Sequence, residues 1–201
     1  MSATILSATT IGIAGVPVHV EADVQHGLPN FTVVGLPDAA VQESRERVRS
    51  ALKAAGFFFP RGRVTVNLAP ADVKKAGPGF DLPIALALLV QTKQLPAETC
   101  ANLMVVGELG LDASLRPVRG VLPLALVARD HNVRAFIVPQ VNAQEAALVE
   151  GLTVLAPISL QALIAHLLGT APLPVVVPEL KSQAHRSTES DFAQVRGQAH
   201  A

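Results

Sequence analysis

Eight basic side chains fall within residues 45–75: Arg45, Arg47, Arg49, Lys53, Arg61, Arg63, Lys74 and Lys75. Only Glu46 and Asp72 oppose them, so the window carries +6 in a chain whose 16 basic and 16 acidic residues cancel overall. Such a run has two physical uses. It forms a solvated helix face with its loops, the commoner use of clustered charge, or it grips phosphates. Arg45, Arg49 and Lys53 recur at every fourth residue and so line one stripe of a helix. Glu43 precedes Arg47 by four residues, which gives Arg47 a structural partner instead. Phe57-Phe58-Phe59 then leads into Arg61 and Arg63. Aromatic rings among basic residues suit a single strand of nucleic acid. Three adjacent apolar residues more often bury in a core or a subunit interface.

Other chemistry is weaker. Lys74-Lys75-Ala76-Gly77-Pro78-Gly79 reads as a tight loop before a helix, where free amide groups attract anions. It is not a nucleotide P-loop, because the Gly-x4-Gly-Lys-Ser/Thr order is absent. Asp81 at the helix start also disfavours an anion there, and the plain alternative is a turn feeding a core helix. His19, Glu21 and Asp23 alternate on a predicted strand, so they share a face on which a metal has ligands within reach. An ordinary exposed polar face explains the same pattern. Cys100 is the only cysteine, which excludes a disulfide framework and a cysteine-based zinc cluster. It has no close His or basic neighbour in sequence and reads as an inert thiol. No catalytic residue and no metal ligand set is assigned.

The elements that position these residues follow from local signals. Residues 4–24 alternate in places, with Gly12 and Gly15 marking a turn, and predict an opening antiparallel hairpin. Phe31 to Val34 is a third strand, ended by Gly35-Leu36-Pro37. Asp38 is a good N-cap for a helix running to about Ala55, with Gly56 as its left-handed stop. Val64 to Leu68 is the clearest strand. Asp81 caps a strongly apolar helix through Leu89. Further predicted elements are a strand over 104–109, a helix over 120–131, a strand over 135–138, a short helix capped by Asn142, a strand over 153–155 and a helix capped by Ser159. Strands alternating with helices in the second half argue an α/β fold with a mixed sheet.

Length and composition fit one domain with a tail. Half of the 201 residues are hydrophobic and 16% are charged. No apolar run reaches a membrane span's length, and the N-terminus lacks the pattern of a signal peptide, so a cytoplasmic setting without membrane contact is expected. Composition shifts after Gly169. Residues 1–169 are expected to form the domain and 170–190 a linker, first proline-rich and then polar. Residues 191–201 start something further.

The stretch from Asn67 to Pro83, with Phe31 to Asp38, Glu43 to Arg49, Val106 to Gly110 and Arg116 to Gly120, resembles the first domain of magnesium-chelatase-like AAA+ proteins, the YifB/ComM competence-protein family. The segment from Asp191 to Gln198 is similar to the start of that family's AAA+ module. The resemblance spans nearly the whole chain. It implies an α/β (α+β) fold like the Lon-type proteolytic domain, a mixed sheet with helices packed on it. It implies an amino-terminal piece of a hexameric ATPase that holds ATP and Mg beyond Ala201 and promotes DNA branch migration in natural transformation. Self-association into a ring through the AAA+ module is implied as well. Lon's Ser–Lys dyad matches Gly79 and Leu124, or Pro123 if the alignment shifts by one, so no peptidase activity is expected. A similar domain, also lacking the dyad, ends the RadA recombination ATPase. The expected role is DNA engagement, single-stranded or branched, through Arg45, Arg49, Lys53, Arg61, Arg63, Lys74 and Lys75. The rival is an oligomerisation or protein-interaction module that touches no nucleic acid. A chelatase-type role would need partner subunits.

Overall fold

The structure, a computed structural model, describes residues 3–179. Strands β1 (Ala3–Ile11) and β2 (Ala14–Gln25) form the expected hairpin, closed by Gly12-Ile13. Gly12 adopts φ +60°, as the first position of such a tight loop requires. Gly15 is not part of the turn. A Cβ there would lie 2.4 Å from the Pro123 carbonyl oxygen, so its missing side chain lets a helix press onto β2. Strands β3 (Asn30–Val34) and β4 (Arg63–Ala69) extend the sheet on one side. On the other side lie β5 (Leu103–Val105), β8 (Ala135–Ile137) and β9 (Val154–Leu155). The order is β3-β4-β2-β1-β5-β8-β9. β2 runs antiparallel to β1 and β4, and the remaining pairs are parallel. The mixed α/β sheet is therefore present. A separate two-stranded hairpin joins β6 (Glu108–Leu109) to β7 (Leu115–Arg116).

Helices cover both faces, which is why β5 and β8 are continuous apolar runs. One layer contains α2 (Ser44–Ala54), α3 (Asp81–Gln91) and α6 (Leu160–Leu167). Their Leu52, Leu86 and Leu163 meet Val20, Val66 and Ile137 from the sheet. The other layer contains α4 (Val121–Asp130) and α5 (Ala143–Ala147), packed around Met104, Phe136 and Val138. Helix α3 is buried on every side over residues 81–89, as an all-apolar helix must be.

Three expectations need correction. The helix after Asp38 is two pieces, α1 (Ala39–Gln42) and α2, broken at Glu43. The strand over 104–109 is also two, because the chain between β5 and β6 is diverted onto the start of α3. Gly107 donates to the Gly79 carbonyl at 2.9 Å, and its own carbonyl accepts from Leu82 N–H at 3.0 Å. Asn142 precedes α5 without capping it. Its side-chain amide clamps the Val118 backbone through two 2.9 Å hydrogen bonds. Asp38 and Ser159 do cap, accepting from Val41 N–H and Ala162 N–H.

Residues 171–178 are extended, as expected of a proline-rich stretch, and lie along the domain. Leu173 packs on the core and donates its N–H to His166 Nδ1 at 2.9 Å, and Val176 donates to the Val154 carbonyl beside the β9 edge. The polar stretch from Lys181 and the segment from Asp191 lie outside the described residues. Among the described residues, no helix is long and apolar enough to cross a membrane.

Candidate nucleic-acid interface

Helix α2 presents Arg45, Arg49 and Lys53 along its outer side in steps of about 6 Å. The helix then stops in a Schellman motif. Gly56, at φ +86°, donates to the Lys53 carbonyl and Phe57 donates to the Leu52 carbonyl. This fixes the direction in which residues 57–61 leave. The three rings then alternate in burial. Phe57 and Phe59 turn onto the core and Phe59 meets Phe31 at a ring separation of 5.9 Å. Phe58 turns outward and is 59% exposed. Gln94 grips the Phe58 backbone from both sides, accepting from its N–H and donating to its carbonyl, each at 3.0 Å.

The stripe, the Phe57–Phe59 segment, Arg61 and the β3 edge enclose a groove of about 580 Å³. Four of the seven sequence-predicted cations line it: Arg45, Arg49, Lys53 and Arg61. Among the described residues, Arg49, Lys53 and Arg61 form no ion pair. Arg45 has only Glu46 at 3.7 Å, and its Nε is enclosed without a hydrogen-bond acceptor. The groove thus gathers four positive charges, three of them without an ion pair among the described residues.

The other three cations are elsewhere. Arg63 opens β4, where Val64, Val66 and Leu68 face the core, so Arg63 projects from the opposite face of the sheet. Lys74 is exposed on the loop after β4 and does not line the groove. Lys75 is enclosed entirely. Its Nζ donates to the Pro70 carbonyl, its backbone pairs with Leu36 and Asp38, and burial pushes the pKa of its amine down. A surface phosphate does not reach it.

Sequence reasoning missed one pair. Arg47 lies on the side of α2 facing α3 and makes a two-pronged contact with Asp81, Nε to Oδ2 at 2.6 Å and Nη2 to Oδ1 at 3.0 Å. Its Nη2 also donates to the Ala40 carbonyl at 2.6 Å, while Glu43 is only a distant partner at 3.9 Å. Asp81 does not cap α3 but sits within its first turn, fully buried, and also accepts from Leu109 N–H at 3.3 Å. Burial pushes its carboxyl up to about 6 against the opposing pull of Arg47. The available signal was phase: Arg47 is about 200° round the helix from Arg45.

A second cavity, of about 470 Å³, lies at the Gly77-Pro78-Gly79 loop. Gly79 and Leu124 both line it, so the two positions matched to the Lon dyad do converge. Neither carries a group able to attack or to accept a proton. The residues around this loop do not fit ATP. Asp38 Oδ2 already accepts from Gly77 N–H at 2.9 Å, Lys75 is turned inward and Asp81 occupies the helix start. Glu21 accepts from Asn67 Nδ2 and Asp23 from Gln25 Nε2, and among the described residues no three His, Cys, Asp or Glu side chains are placed to hold a metal. Cys100 is buried, and burial raises its thiol pKa.

Residues 20–142 match the family described as subunit ChlI of Mg-chelatase. The chain belongs to this ChlI family. It is 38% identical over 202 residues to competence protein ComM of Haemophilus influenzae, covering 99% of this chain and 40% of that protein. It is 39% identical to the uncharacterized protein YifB of Escherichia coli, covering 94% of this chain and 37% of that one. A Lon protease of Chloroflexus aurantiacus is 28% identical over 138 residues, 65% of this chain and 16% of that protease. The chain thus spans about two fifths of the length of its ComM and YifB relatives. The ChlI match includes the basic groove and, apart from Ala8, Thr9 and Thr10, the lining of the cavity that Gly79 and Leu124 share.

Proposed function

We propose that this ChlI-family domain is the non-proteolytic accessory domain of a longer magnesium-chelatase-like AAA+ protein and that it engages DNA through the α2 groove. The carrying observation is the convergence of Arg45, Arg49, Lys53 and Arg61 on one groove, with no ion pair to Arg49, Lys53 or Arg61 among the described residues. The likeness to a competence protein supports DNA as the polyanion. In this reading the longer protein assembles as a hexameric ring in the cytoplasm and drives branch migration, with ATP and Mg held by its AAA+ module. Each domain supplies weak phosphate contacts that a ring multiplies through effective concentration. The reading assigns the groove's cations to phosphates, which carry no sequence information, so sequence preference is expected to be weak.

The test is a triple reversal, Arg45→Glu, Arg49→Glu and Lys53→Glu, with binding to labelled DNA followed across salt concentrations. Four phosphate contacts give a slope of log affinity against log salt near −3 for a single strand. The triple variant is expected to lose binding while its thermal melt stays in place, since all three side chains face solvent at least in part. Unchanged affinity would show that this groove is not the phosphate surface.

One observation favours the interaction-module reading. Ile13 is 96% exposed and Ile11 53% exposed at the β1–β2 tip, and Leu122 and Leu126 are exposed on α4, which packs against that hairpin. Apolar side chains left in water commonly mark a protein contact. The charge reversal separates the readings, because this apolar group lies outside the groove.

A further inference from the structure

We infer that the groove takes an unpaired strand and that Phe58 is a stacking platform for one of its bases. The inference rests on the phosphate reading above and adds to it the class of strand. Three observations carry it. First, Phe58 is 59% exposed in a segment whose neighbours Phe57 and Phe59 are turned onto the core, so the outward ring contributes little to folding. Second, its backbone is held at N–H and carbonyl by one side chain, Gln94, whose amide is itself braced by a 2.8 Å hydrogen bond to Thr92 Oγ1. A ring held in water by a fixed backbone has lost little conformational freedom still to be given up on binding. Third, the same groove carries Arg45, Arg49 and Lys53 in a line and Arg61 beyond the ring.

A phosphate track beside an exposed aromatic face is what a single strand requires, since every base has a π-face and needs no edge-specific partner. A duplex keeps its bases stacked on one another and offers Phe58 only its backbone. The groove therefore discriminates by base availability and not by sequence. A strand lying along α2 has its phosphates on the stripe and one base turned onto the ring.

The chain contains no Trp or Tyr, so Phe58→Trp places its only indole in the groove. The 201-residue chain with this substitution is titrated at low salt with a short oligothymidylate and with an abasic strand of the same length. Indole emission and the anisotropy of a label on the strand are both read. The thymidylate is expected to quench the indole and to bind about 5- to 150-fold more tightly than the abasic strand. In a second variant, Phe58→Leu, the advantage of thymidylate over the abasic strand disappears. Equal affinities with no quenching would overturn the stacking platform and leave the phosphate reading standing. Absence of binding to either strand, with the chain raised to concentrations that fill the weak site of a single domain, would overturn both.

Discussion

Arg47 and Arg49 lie two residues apart on one helix and meet opposite surroundings. Arg47 is 19% exposed and locked to the buried carboxylate of Asp81, while Arg49 lines the groove without an ion pair among the described residues. Lys75 and Lys53 differ in the same way, one enclosed against a backbone carbonyl and the other in water. A run of positive charge in sequence is therefore two populations in space. One is bound within the fold, Arg47 to a buried carboxylate and Lys75 to a backbone carbonyl. The other lines a groove where, among the described residues, only Arg45 has an ion-pair partner, so its repulsion is met by dissolved ions or by an anion from outside. Sorting the two needs the partner of each group, which composition does not contain.

The largest expected effect tests the first population. Arg47→Met leaves Asp81 fully buried without its cation, and breaking a buried pair in this way costs about 3–5 kcal/mol. Asp81→Asn costs less, because Arg47 keeps some contact with water. Urea midpoints for both variants check this order, and DNA affinity measured on the folded fraction of Arg47→Met should equal that of the parent. The pH dependence has a defined sign. Asp81 holds its proton more tightly folded than unfolded, so its contribution to stability falls as pH rises from the ordinary carboxylate range to about 6 and is level above that. Without Arg47 the carboxyl rises further, so the gap between parent and Arg47→Met opens only above about pH 6, where the parent's Asp81 has ionised and the variant's still holds its proton. A gap independent of pH would mean that Asp81 is not charged in the fold.

The second population is probed by Arg61→Ala against Arg63→Ala. These positions are neighbours in sequence, yet only Arg61 lines the groove. Loss of one phosphate contact lowers the salt slope by about 0.7 for a single strand. That change is expected for Arg61→Ala and not for Arg63→Ala, with both melts within about 0.5 kcal/mol of the parent. Equal slopes for the two variants would erase the distinction between the faces of the sheet.

The sequence was most informative where one residue's chemistry acts on its own neighbours. Asp38 and Ser159 are caps because a short acceptor sits just before an apolar helical repeat, and both expectations hold in atomic detail. The α2 stripe was legible from spacing alone. What escaped were contacts across the chain. Asp81 and Asn142 have the right type and place for caps, but each is claimed by a group far away in sequence: Arg47, 34 residues off, and Val118, 24 residues off. The split of the 104–109 strand has the same origin, since Gly107 trades strand pairing for bonds to Gly79 and Leu82. Lys75 was misjudged because its partner is the carbonyl of Pro70, and a backbone acceptor leaves no trace in residue type.

The smallest expected effect concerns the cavity shared by Gly79 and Leu124. A Cβ added at Gly79 meets only Val118, at 3.5 Å, an ordinary van der Waals distance, and Gly79 does not have a left-handed φ. The fold therefore supplies no nucleophile there but leaves space for one. Gly79→Ser should melt within about 0.5 kcal/mol of the parent. Gly15→Ala, whose Cβ would strike the Pro123 carbonyl at 2.4 Å, should be clearly destabilised. A serine hydroxyl at 79 still has no base, since Leu124 accepts no proton, so a fluorogenic peptide should remain uncut by Gly79→Ser. Cleavage would mean that another group in this cavity accepts the proton. The fate of Gly79 would then mirror that of the groove cations, a chemistry held open by the fold and waiting only for the missing partner.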